Sequence, residues 1–255
     1  MTTTGLDAST RDAAAAVRIE GLEKSFGDNH VLRELDLTVP AGIVYALLGA
    51  NGAGKTTCLS ILTTLLKPDS GRAVVAGFDV VRQPAQVRQA ITVTGQNVSV
   101  DTVLTGRENL VLIARLRHVP EAGALAGQLL DRFALAEAAD KAVSTYSGGM
   151  KRRLDIAMSL IGAPQVVFLD EPTTGLDPMG RREVWAVIKE MSAQGRTIVL
   201  TTQYMDEAAQ LADVIGVLKD GRIAVEGDHQ AILDAARAAD LESAFLNLTT
   251  EGDEK

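Results

Sequence analysis

The stretch Gly49-Ala50-Asn51-Gly52-Ala53-Gly54-Lys55-Thr56 fits the spacing G-x-x-x-x-G-K-[ST], which describes a cradle for phosphate groups. Its chemistry explains its residue types. Glycines let backbone N–H groups converge on phosphate oxygens without side-chain obstruction, and a helix opening here adds its partial positive charge. Lys55 is expected to meet the β- and γ-phosphates of a nucleoside triphosphate, and the Thr56 hydroxyl to hold Mg²⁺. The expected nucleotide contacts are Gly49, Asn51, Gly52, Ala53, Gly54, Lys55, Thr56 and Thr57. The bland alternative is a glycine-rich turn capping a helix, and strand, spacing, lysine and threonine together oppose it.

Hydrolysis also needs an acidic metal partner on a neighbouring strand. Val166-Val167-Phe168-Leu169-Asp170 supplies one: four apolar residues bury the strand, and Asp170 stands at its carboxyl end. Glu171 follows at once. Adjacent carboxylates of different reach can divide the work, with Asp170 organising Mg²⁺ and its waters and Glu171 polarising the attacking water as general base. Taken alone, the pair is equally a solvated turn at a strand end; the cradle favours the catalytic reading.

These groups need a framework. Val17 to Leu22 alternates as a strand, and Leu35, Leu37 and Val39 mark a second that stops at Pro40. Ile43 to Leu48 is a continuous apolar run, as in a strand buried on both faces. A helix is predicted from Lys55 to about Leu66, ending before Pro68, and a short strand over Ile91 to Thr94. Between Thr105 and about Ile161, Leu110, Ala114 and Leu116, then Leu125, Leu129, Leu130, Phe133 and Leu135, recur at helical spacing and predict a helical insertion. Strands over Val166 to Asp170 and Thr197 to Thr202 flank a helix containing Val184, Val187 and Ile188. Asp220-Gly221 between two apolar runs signals a hairpin, and Gln230 to Leu248 is mostly helical in pattern. The expected division is a flexible tail over residues 1–14, a nucleotide-binding domain over 15–230 with helices inserted at about 97–162, and a short helical tail over 231–255.

Composition narrows the class. A formal net charge of -8 argues against a nucleic-acid binder, which needs a basic face. Cys58 is the single cysteine, so no disulfide framework exists and a reducing cytoplasm fits. It reads as a small core residue rather than a reactive thiol. No apolar run is long enough to cross a bilayer, and Met1 to Ala16 lacks the pattern of a signal peptide. Any membrane role is therefore expected to pass through a partner.

Tyr146-Ser147-Gly148-Gly149-Met150, ahead of the Asp-Glu strand, resembles the signature loop of ABC-type ATPases, usually Leu-Ser-Gly-Gly-Gln. The resemblance covers about Val17 to Gly227. It implies an α/β fold of the P-loop NTPase, ABC type: a mixed parallel core sheet, an N-terminal antiparallel β region and an inserted α-helical subdomain. It also implies ATP and Mg²⁺ as cofactors. Gln96 then corresponds to the glutamine that contacts nucleotide and metal, Asp177 of Thr174-Gly175-Leu176-Asp177 to the D-loop, and Phe26 to the aromatic that stacks on adenine. The segments Leu104 to Leu110, Thr201 to Ala208 and Leu241 to Leu246 are similar to those of daunorubicin-resistance-type drug exporters, whose subunits pair with a small ABC-2-type permease. That likeness alone implies export of an apolar drug, antibiotic or lipid-like molecule, with two permease copies, at the cytoplasmic face of a bacterial membrane. The stretch after Gly227 is short where many of that group are longer, so properties tied to the longer region are not carried over.

Ser147, Gly148 and Gly149 precede a helix expected to begin near Met150, giving a second amide-lined anion site beside Lys151, Arg152 and Arg153. At least two of those three charges read as a solvated helix face. One nucleotide does not need two cradles from one chain, so a head-to-tail homodimer is expected, each signature loop closing on the partner's γ-phosphate. The alternatives are a soluble ABC ATPase, of the iron–sulfur assembly type, or an ABC subunit moving a non-drug substrate. Repair types need coiled-coil arms or zinc cysteines, translation types two such domains, and the branch motifs oppose an iron–sulfur assembly subunit.

Gln203 stands where most ABC ATPases place a histidine against the γ-phosphate. Glutamine donates a hydrogen bond but carries no charge, and His30, His118 and His229 all read as surface residues. Slower but real hydrolysis is expected, with little pH dependence from this position. Replacing Gln203 by His is predicted to raise steady-state phosphate release or leave it level. A collapse would instead assign the glutamine a specific role.

Overall fold

The computed structural model describes residues 15–95 and 98–250; the expected tail over 1–14 and Gln96 lie outside them. Strand β3 (Val44–Leu48) is buried at all five positions. Val44, Ala46 and Leu48 face one apolar cluster and Tyr45 and Leu47 another. Successive side chains point to opposite faces, so a strand covered on both sides has no polar position, which is why the run is continuous. β7 (Val166–Asp170) and β8 (Thr197–Thr202) are likewise buried throughout, apolar except for Asp170 and the threonines at the ends of β8. With β6 (Ile91–Thr94), β9 (Val214–Lys219) and β10 (Arg222–Gly227) they form a six-stranded sheet in the order β10-β9-β3-β8-β7-β6. It is mixed as expected: β10 runs antiparallel to β9 and the other pairings are parallel.

The antiparallel region is a second sheet, β2 (Asn29–Pro40), β1 (Ala15–Phe26), β4 (Ser70–Val75) and β5 (Phe78–Asp79), in that order. Helix α1 (Lys55–Leu62) lies in the cluster between the sheets, contributing Cys58, Leu59, Ile61 and Leu62. It is shorter than predicted. The Thr63 hydroxyl donates to Leu59 O at 2.8 Å and Thr64 takes a φ of 65°, so two threonines end the helix before Pro68 can. Strands β4 and β5 and helix α2 (Pro84–Ala90) were not predicted: β4 opens Ser-Gly-Arg with three exposed residues, and its apolar alternation is too short to register.

The other face carries helices α3 (Gly106–Leu116), α4 (Ala122–Arg132) and α5 (Gly148–Ser159), where the insertion was expected. Their buried residues join those of α6 (Pro178–Ala193), α7 (Met205–Leu211), α8 (His229–Ala236) and α9 (Leu241–Thr250) in one continuous cluster. Thr105 opens α3 with a reciprocal capping box to Glu108. The Asp220-Gly221 hairpin has φ values of 50° and 77°, both left-handed as its turn requires. A Cβ at Gly221 would collide with the backbone of Val31 and Leu32, so the turn is glycine for packing as well.

Phe168 is fully buried at the middle of β7, between β8 and β6. Replacing Phe168 by Ala is predicted to cost about 3–5 kcal/mol of unfolding free energy, read as a lower urea midpoint with an unchanged slope.

Candidate functional site

Parallel register brings the chemical groups together. Leu48 pairs with Thr202, and Asp170 with Thr201, so the loops leaving β3, β7 and β8 emerge on the same edge. The carboxylate strand was expected beside the cradle strand; instead β8 lies between them. Two strand spacings, about 10 Å, separate β3 from β7. The intervening strand is tied to both sides. Gly49 N–H donates to Thr202 O at 3.2 Å, and the Thr201 hydroxyl donates to Asp170 Oδ1 at 2.5 Å.

Within the cradle, Gly52 and Gly54 take φ values of 83° and 106°. A Cβ at Gly54 would lie 2.9 Å from Leu32 Cδ2 and 3.1 Å from Val31 O, so conformation and space both require glycine at the cap of α1. Lys55 is buried, and its Nζ donates to Gly49 O at 2.8 Å and Ala50 O at 3.0 Å, 3.9 Å from Glu171 Oε1. Burial holds the ammonium below its ordinary pKa, against the opposing pull of Glu171 and Asp170. Thr56 Oγ1 stands 3.4 Å from Asp170 Oδ1. Phe26, half exposed, lines a cavity of about 340 Å³ with Asn51, Gly52, Gly54, Lys55, Thr56, Thr57 and Glu171. Gly49 lies behind it as a backbone partner of Lys55, and Ala53 lines the adjoining hollow. Asn29 and Val31 complete the wall and had no signal in the sequence.

Among the described residues no group of three or more His, Cys, Asp or Glu is placed to hold a metal. A hydroxyl and one carboxylate converge instead, which suits Mg²⁺, a cation that keeps waters and takes phosphate oxygens as ligands. Glu171 has a φ of 46°, a left-handed conformation that costs a non-glycine residue about 1–2 kcal/mol. Its N–H donates to Thr201 O and Thr201 Oγ1, both at 3.1 Å, and Thr174 Oγ1 donates to its Oε2 at 3.1 Å. Thr201 is the site residue the sequence reading missed; its signal was a hydroxyl inside a fully buried strand. Gln203 is half-buried just past β8, and the three histidines are exposed.

The signature segment builds a separate place. Helix α5 starts at Gly148, not near Met150, and the Ser147 hydroxyl caps it by accepting Met150 N–H at 3.2 Å. Ser147, Gly148, Gly149 and Asp177 line a cavity of about 520 Å³ that shares no lining residue with the nucleotide cavity. Asp177 Oδ1 caps α6 by accepting Gly180 N–H at 2.8 Å. The basic trio is not a solvated face. Arg152 and Arg153 are buried, and Arg153 donates to Phe133 O at 2.8 Å and Ala134 O at 3.1 Å. Every residue of α5 from Arg152 to Ser159 is buried, so the helix is enclosed on all sides, and its charged residues turn to internal partners.

The ABC transporter family profile matches residues 32–174. The daunorubicin resistance ATP-binding protein DrrA3 of Streptomyces coeruleorubidus is 52% identical over 217 residues, covering 84% of this chain and 69% of that protein. The daunorubicin/doxorubicin resistance ATP-binding protein DrrA of Streptomyces peucetius is 51% identical over 214 residues, covering 83% of this chain and 65% of that protein. The chain thus spans about two thirds of the length of these relatives. Among solved structures, cbiO1 from Clostridium perfringens, part of the ABC transporter complex cbiONQ, superposes with a TM-score of 0.79 at 26% identity, over 92% of this chain and 99% of that one.

Cys58 proves to be a core residue, 1% exposed, its thiol pushed up to about 12 by burial. At the pH of a labelling assay its thiolate population is about a thousandfold below that of a group at 9.0. Thiol reagents are therefore expected to modify it only on unfolding, at the same slow rate with or without ATP. Fast labelling that ATP blocks would contradict this.

Proposed function

The chain belongs to the ABC transporter family of ATP-binding, ATP-hydrolysing transporter subunits, and we propose that two copies close head to tail over two ATP molecules. Closure drives export of an apolar drug, antibiotic or lipid-like molecule through a separate ABC-2-type permease, itself present in two copies. The observation that carries the dimer is the pair of cavities: the P-loop and the signature loop line different places on one chain. A single chain therefore encloses a nucleotide from one side, and a second copy supplies the other. The relatives named for daunorubicin and doxorubicin resistance support the cargo class.

In this reading residues 15–230 form the nucleotide-binding domain, with helices inserted at about 97–162, and 231–255 a helical tail. Among the described residues no helix is long and apolar enough to cross a membrane. The permease then holds the chain at the cytoplasmic face.

The residues divide the chemistry. Phe26 offers a π-face to the adenine. Lys55 exchanges its two carbonyl partners for β- and γ-phosphate oxygens, which restores the stability of its charged form. Thr56, Gln96 and Asp170 would hold Mg²⁺, which would supply positive charge beside the phosphates. Glu171, aimed by Thr201 and Thr174, accepts a proton from the attacking water. Gln203 donates to the γ-phosphate. From the partner copy, Ser147, Gly148 and Gly149 close on that phosphate beside Asp177. Contacts made only when both halves grip one nucleotide shift the population toward the closed dimer.

Replacing Glu171 by Gln is expected to keep ATP binding and lower turnover about a hundredfold or more, trapping an ATP-dependent dimer in light scattering. A variant that stays monomeric at saturating ATP would remove the dimer, and one that turns over normally would remove the base. Co-purification with a membrane-spanning protein tests the permease.

A further inference from the structure

We infer that Arg152 is a positioning residue for hydrolysis, holding the Asp170-Glu171-Pro172 segment in register with the chain around residues 95 and 99. Its place in α5 is 3% exposed. Nε donates to Pro172 O at 2.8 Å and Nη2 to Asp170 O at 3.3 Å. Those two carbonyls bracket Glu171. Nη1 donates to Gly95 O at 2.7 Å and to Asp155 Oδ2 at 3.3 Å. Asp155, one turn on, accepts Ser99 N–H through its other oxygen at 3.2 Å. One guanidinium therefore grips both sides of Glu171, while Arg152 and Asp155 together bind Gly95 O and Ser99 N–H.

The choice of side chain fits this task. Three nitrogens in a rigid plane reach acceptors on separate segments, which a single ammonium cannot do. The charge is also compensated, since Asp155, Glu207 and Asp170 oppose the penalty of burying it. Glu171 is sensitive to such a hold because it is already in a left-handed conformation. A small displacement of either flanking carbonyl swings its carboxylate away from an attacking water, and misplacement by about 1 Å can cost about a hundredfold in rate. The Arg152 hydrogen bonds to this segment go to Asp170 O and Pro172 O, on either side of Glu171, which lines the nucleotide cavity.

The catalytic part of this inference rests on the ATPase reading, and the test separates the two. In the full chain, Arg152→Lys keeps the charge, and the double variant Arg152→Met/Asp155→Leu removes the buried pair without leaving an uncompensated charge. Both are expected to melt near the parent temperature and bind ATP within about threefold of it, with kcat about tenfold to a hundredfold lower and KM little moved. Amide hydrogen exchange on the nucleotide-free Arg152→Lys chain is expected to quicken together at Ser99, Glu171 and Thr174, with α1 unchanged. Parental kcat in both variants, or exchange that quickens everywhere or at only one of the two segments, overturns the inference. If the parent chain releases no more phosphate than Glu171→Gln, the ATPase reading fails instead, and the exchange measurement still decides the role of Arg152.

Discussion

Thr201 sits opposite Asp170 in the parallel register of β7 and β8, donating its hydroxyl to Asp170 Oδ1 while accepting the Glu171 N–H. This pairing fixes where both carboxylates stand, and it works only because β8 is clamped on its other side to β3. A slip of one residue would turn Thr201 toward the opposite cluster and put a leucine or a second threonine in its place. The apolar faces resist that slip. Val199 packs in one cluster while Ile198 and Leu200 pack in the other, so the same burial that stabilises the sheet sets the geometry at its edge.

Against this apolar sheet the buried charges gather near one end. Lys55, Asp170, Glu171, Arg152, Asp155 and Glu207 are all nearly inaccessible. Isolated charges in such surroundings are costly, and only partners make them tolerable. Most have them. Glu207 is the tense member: Thr173 and Trp185 donate to its Oε1 at 2.8 Å and 3.1 Å, its Oε2 has no partner, and burial raises its pKa.

The cradle and the carboxylate pair were legible because phosphate chemistry dictates residue type and spacing within a few positions. Strands β3, β7 and β8 were legible because burial on both faces leaves a short apolar run, Ile198 to Leu200 between threonines in β8. The order of those strands was not, since nothing in Val166 to Asp170 says that Thr197 to Thr202 will lie between it and Gly49. Arg152 and Arg153 were misread for the same reason. A run of three basic residues looks solvated, and the acceptors that reverse this, at Pro172 and Phe133, lie twenty residues away on either side. The apolar stretch Leu154 to Met158, broken only by Asp155, was the local hint that α5 is enclosed all round. Gln96 lies outside the described residues, so its place rests on the resemblance.

The hairpin turn at Gly221 also bears on colloidal behaviour. Unpaired strand edges invite other chains to add on, and soluble proteins blunt them. Here Gly221 O accepts Arg33 N–H at 3.0 Å and Arg222 Nε donates to Arg33 O at 2.9 Å, which draws the long β2 edge against the turn of the other sheet. β2 is further kinked by register shifts along β1. Among the described residues the other edges are β10 with six residues, which follows that turn, β6 with four and β5 with two. A chain with little free backbone to template a stray strand can stay dispersed when crowded, so that encounters between copies are governed by side chains and nucleotide rather than by sheet growth.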